Sequence, residues 1–190
     1  MPYRCDKITQ IAARFLEKSS GKLPYIVLMK LMYYADKQML LQYGEPITFD
    51  RWVSMKNGPV LSNTLNLIRM PDETAPDYWV SHMVTEGYDI ILRNDPGNDA
   101  LSELEEEVID GVFSEHGDPT GQYSEQFKWD LVEETHQLPE WDKSTAIYGG
   151  STDITYGRIL ELAGVNEETV ALILDNIDAS DYASRFAEAA

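Results

Sequence analysis

The sequence predicts an α+β fold: mainly a helical bundle, with one small antiparallel sheet of about three strands. Three observations carry this. Apolar residues recur at helical spacing in most long segments, beginning with Ile8, Ile11, Ala12, Phe15 and Leu16. Short runs rich in β-formers occur at Arg51–Lys56 and across Tyr78–Leu92. Clusters of glycine, proline and asparagine punctuate the chain between them. With 190 residues and no internal repeat, one domain spanning 1–190 is expected.

The first helix reads from about Asp6 to Lys18, with Asp6 as its cap. After the loop Ser19–Lys22, Pro24 can open a second helix, where its missing N–H costs nothing. That helix runs to Tyr43. Leu28, Leu31, Met32, Ala35 and Met39 lie on one side, and Lys30, Tyr34, Lys37 and Gln38 on the other. Gly44 follows as its C-terminal cap, since glycine takes a left-handed turn without steric cost. Arg51–Lys56 is extended and is stopped by Asn57-Gly58-Pro59; Ser62 is the cap of a short helix carrying Leu65, Leu67 and Ile68. Tyr78–Val84 and Tyr88–Leu92 read as a hairpin turning at Glu86-Gly87. Arg51–Lys56 is its expected third strand, because two strands alone are marginal in water.

Ser102 and Glu105 form a capping box for a helix that ends near His116-Gly117. A shorter helix follows from about Glu125 to Glu134, closed by Pro139, with Trp141 placed to fold back on the core. Tyr148–Ser151 reads as loop and Thr155–Ala163 as helix. A last helix starts near Asn166, with Val170, Ile173, Leu174 and Ile177 on one side. The tail Tyr182–Ala190 ends in Ala189-Ala190.

The formal charge is −18 and unevenly placed. Met1–Arg69 holds ten Lys+Arg against five Asp+Glu; from Met70 onward the numbers are five and twenty-eight. Such acidity repels phosphate, so direct nucleic-acid binding is not expected, and steering toward a basic partner is. A single cysteine, Cys5, leaves no internal disulfide and fits a reducing cytoplasm. No stretch reaches the ~20 apolar residues of a membrane span. A cytoplasmic protein without membrane contact is expected.

The histidines, His82, His116 and His136, fall in no HExxH or other metal-ligand spacing, and no P-loop, GxSxG or GxGxxG occurs. No metal or cofactor is expected. An enzyme reading would need Asp36 and His136 as an acid–base pair, with no accompanying nucleophile. Trp52, Lys56 and Asn57, with Gly58 and Pro59, allow two readings. Gly58 and Trp52 either serve the turn and the sheet, or help form a partner-binding patch with Tyr34 and Lys37.

The stretches Lys30-Leu31-Met32-Tyr33-Tyr34-Ala35-Asp36, Tyr43-Gly44-Glu45-Pro46-Ile47 and Trp52 through Asn57-Gly58-Pro59-Val60 come in a particular order. Leu101-Ser102-Glu103 and Thr135-His136 to Pro139-Glu140-Trp141 follow. In this order they resemble the SocA-like Panacea antitoxin domain, known also from phage-associated proteins, over residues 6 to 145. The resemblance implies an antitoxin, not an enzyme. It would neutralise a cognate toxin encoded nearby by protein–protein contact, and SocA-like members can also deliver the toxin to a cytoplasmic unfoldase-protease. Lys30, Tyr33, Asp36, Gly44, Gly58, Pro59, His136, Pro139 and Trp141 are its motif positions here. The alternatives are the small enzyme above and an acidic, phage-borne decoy imitating nucleic acid. The Ala189-Ala190 ending resembles those that bacterial unfoldase-proteases engage.

Overall fold

The amphipathic first segment forms helix α1 (Cys5–Lys18), and a three-residue strand β1 (Lys22–Pro24) leads into helix α2 (Tyr25–Tyr43). The computed structural model describes residues 4–187, with side chains through Ser180. The Ala189-Ala190 ending lies outside the described residues. Helix α2 is the axis: Val27 through Tyr33 are all buried, as are Ala35, Asp36, Met39 and Leu40. Gly44 ends it at φ +79°, its N–H donating to the Leu40 carbonyl, as the sequence predicts.

Strands β2 (Trp52–Met55) and β3 (Gly58–Leu61) form a hairpin, followed by helices α3 (Ser62–Arg69) and α4 (Asp77–His82). Strands β4 (Met83–Glu86) and β5 (Asp89–Leu92) precede α5 (Glu103–His116), α6 (Glu125–His136) and α7 (Ser144–Tyr148). Strand β6 (Thr152–Ile154), α8 (Tyr156–Leu162) and α9 (Glu167–Ala187) complete the order. The fold is α+β and mainly helical. One cluster of buried side chains runs through it from Ile8 to Ile177. No helix among the described residues is long and apolar enough to cross a membrane.

The strands divide into two antiparallel sheets rather than one. The first has the order β1-β5-β4, and the second β3-β2-β6. Arg51–Lys56 therefore does not join the later hairpin. Trp52 pairs with Leu61 on one side and Ile154 on the other. The expected strand Tyr78–Val84 is helical through His82, because Pro76 opens a turn (φ −56°) and Trp79 buries itself on the side facing α1.

Helix caps differ in two places. The Ser102–Glu105 capping box forms as expected. Asp6 lies inside the first turn of α1, bound by Arg4, and is not its cap. Ser62 does not cap α3 either. The buried Asp50 carboxylate reaches across and accepts from the N–H groups of Asn63 (2.9 Å) and Thr64 (2.8 Å).

Candidate functional site

Helical spacing puts Lys30, Tyr33, Tyr34 and Lys37 on one face of α2, and that face meets α6 and the turn after it. Lys30 is 1% exposed, and its Nζ donates to the Pro59 carbonyl at 2.9 Å. Gly58, at φ +94°, lets the β2–β3 hairpin approach this closely. A Cβ there would stand 2.5 Å from Thr135 Oγ1 and 2.7 Å from Lys30 Nζ. Below, Glu140 Oε1 accepts from the Tyr33 hydroxyl (2.8 Å) and from Lys37 Nζ (2.6 Å). His136 stacks on Trp141 with ring centroids 3.8 Å apart. The Trp141 indole donates to the Met55 carbonyl (3.0 Å), so Trp141 folds back as predicted. The motif stretches around Lys30, Gly58-Pro59 and His136–Trp141 thus form one junction joining α2, the hairpin and α6.

Two buried atoms in the junction have no hydrogen-bond partner among the described residues, His136 Nε2 and Glu140 Oε2. Burial, reinforced by the nearby Lys30, holds the imidazole below its ordinary pKa, against the pull of Glu133 at 3.6 Å. Burial also lowers the Lys30 ammonium to about 7. Between about pH 7 and 10 the unfolded chain therefore holds a proton that the folded chain has released, and stability rises with pH across that window. Lys30→Met should abolish this rise, which approaches ~1.4 kcal/mol per pH unit at its steepest. Urea denaturation of both proteins at several pH values checks it. A stability difference between them that stays constant over the window would show that Lys30 does not titrate there.

Asp36 belongs to a second, inner lock. Its carboxylate accepts from the N–H groups of Ile47 (3.0 Å) and Thr48 (2.9 Å), from the Thr48 hydroxyl and from Trp52 Nε1 (3.1 Å). Burial raises its pKa to about 7, and the hydrogen bonds from Thr48 and Trp52 oppose that rise. Asp36 and His136 share no hydrogen bond. Asp36 is engaged by the loop after α2, and His136 by Trp141 and Glu133. The acid–base pair of the enzyme reading is not assembled.

The expected patch is only partly at the surface. Lys56 and Asn57 are exposed at the hairpin tip, while Trp52 is 1% exposed and packs edge-on against Tyr33 (5.2 Å) and Tyr156 (4.9 Å). Trp52 is a core residue, since its ring fills the space between α2 and α8 and its N–H is bound to Asp36. Tyr34 is half-buried, stacked on His116 (4.1 Å) with its hydroxyl donating to Glu134 (2.9 Å); Lys37 is held by Glu140. Pro59 is buried and Pro139 exposed. Glu140 and Thr135 are junction residues that the site reading omits, although both lie within the quoted motif. Among the described residues no three His, Cys, Asp or Glu side chains gather in a way that could hold a metal.

The comparisons with known proteins bracket this junction. A family model described as "Antitoxin SocA-like, Panacea domain" matches residues 28–142, more than half of the chain. No curated protein and no solved structure matches. The chain belongs to the SocA-like Panacea antitoxin domain family.

Proposed function

We propose that the protein is a non-enzymatic antitoxin that neutralises a toxin encoded nearby by direct contact, acting in the cytoplasm. The observation that carries this reading is the family match over residues 28–142. The inward use of the motif supports it: Lys30, Asp36, His136 and Trp141 brace α2, the hairpin and α6, so the outer surface carries the recognition. Delivery of the captured toxin to an unfoldase-protease is the second step of this reading.

Binding of this kind is stoichiometric. Titrating the chain against the toxic protein encoded beside its gene, with a chelator present, should restore that protein's target activity at about one equivalent. Rescue at a small fraction of an equivalent, or its loss with chelator, would overturn the reading.

A further inference from the structure

We propose that the outward face of α6, centred on Trp129, is where the toxin docks, and that the toxin presents a basic, arginine-bearing patch to it. This deepens the antitoxin reading and rests on it. Helix α6 buries Leu131, Val132 and Thr135. Its opposite side carries Gln126, Trp129, Asp130 and Glu133, spaced i, i+3, i+4, i+7. Trp52 and Trp79 are at most 3% exposed and Trp141 is stacked on His136, whereas Trp129 is 51% exposed. A tryptophan at an outward helical position adds little to the core. At an interface the same ring is among the residues enriched as anchors.

The charges around it choose the partner. Most cations of the N-terminal third are consumed within the fold. Lys7 pairs with Glu105, Arg14 with Glu106 and Asp110, Lys18 with Asp110, Lys22 with Asp89, Lys37 with Glu140 and Arg51 with Asp153. On α6, Lys128 pairs with Glu125. Asp130 has the neutral Gln126 amide (2.6 Å), and Glu133 has the His136 ring, which burial disfavours as a cation. Asp130 and Glu133 thus lack a lysine or arginine counter-ion among the described residues. A guanidinium suits this arrangement because it can lie on the indole face and still bind a carboxylate. A second copy of the chain would bring like charge to the same face, and a nucleic acid would be repelled.

The test uses the purified full chain and the purified protein encoded beside its gene, with calorimetry at several salt concentrations. Trp129→Ala should weaken binding about thirty-fold, and Asp130→Lys with Glu133→Lys at least as much, with a flatter salt dependence. Tyr88→Ala, a change at a 79% exposed residue in the β4–β5 turn, should bind as wild type. Thermal melts of the Trp129 and charge variants should match wild type. If wild type binds and neutralises while both α6 variants stay within about two-fold of it, the antitoxin reading stands and this surface falls. If wild type neither binds nor neutralises, the antitoxin reading falls and takes the surface with it. If the variants instead dissociate a self-dimer in sedimentation, the occupant is a second copy and the proposal is wrong.

Discussion

Asp36→Ala should destabilise the protein by roughly 5 kcal/mol, because four buried donors lose their acceptor, and the three N–H groups among them, which cannot turn to another partner, cost about 1–3 kcal/mol each. The donors are the backbone N–H groups of Ile47 and Thr48, Trp52 Nε1 and the Thr48 hydroxyl, all aimed at one carboxylate. Asn should recover only part of the loss, since its amide keeps one acceptor oxygen but turns a donor toward other donors. Urea unfolding of the three proteins decides the matter. A loss below ~1.5 kcal/mol for alanine would mean that water replaces the carboxylate without difficulty, and that Asp36 is not what ties the Ile47–Trp52 segment to α2.

Gly58→Ala should cost a further large amount at the other lock, about 3–5 kcal/mol. The residue sits at φ +94°, where an L side chain is strained in any case. The added carbon would also meet Thr135 Oγ1 at 2.5 Å and Lys30 Nζ at 2.7 Å. Neither neighbour gives way freely, because Thr135 is fully buried and donates to the Val132 carbonyl, and Lys30 donates to Pro59. The contribution of the clash is separable from that of the backbone. Thr135→Ala in the same chain removes the nearest atom, so the double variant should be more stable than the sum of the singles predicts. Strict additivity of the two changes would remove Thr135 as a cause and leave the effect to the backbone angle and the Lys30 contact.

These two residues also mark what could be read in the sequence. The α2 helix, its Gly44 end and the Ser102–Glu105 box are local features, set by apolar periodicity and by residues within a turn of each other, and they appear as expected. Asn57-Gly58 was equally local. Between Trp52–Met55 and Pro59–Leu61 it signals a hairpin, and reading it as a mere stop concealed strand β3. The second sheet was not legible, since β2 finds its third strand at 152–154, a run of three residues too short to show an alternating pattern, with only Ile154 buried. Tyr78-Trp79-Val80 favours strand by residue type, but packing near α1 decides otherwise. The junction was half legible: its motif positions stand out, whereas the convergence of Tyr33 and Lys37 on Glu140 depends on how α6 returns. The uneven charge had a structural use that composition does not disclose, as basic residues of the first third clamp acidic ones of the rest.

Strand β6 lies beyond the family-matched segment, which ends at residue 142, yet it closes the sheet that holds Trp52. Tyr156, just after it, lays its ring against that tryptophan and donates its hydroxyl to the Asp50 carbonyl at 2.8 Å. During synthesis the whole Lys30–Asp142 junction leaves the ribosome before either element does. For that interval the emerging chain carries its central brace with one flank of the indole still open to water, and a strand edge without its neighbour. Closure of this sheet edge and cover of the indole therefore wait on residues made after the family-matched segment, and until those residues join, that edge is open to cellular proteases.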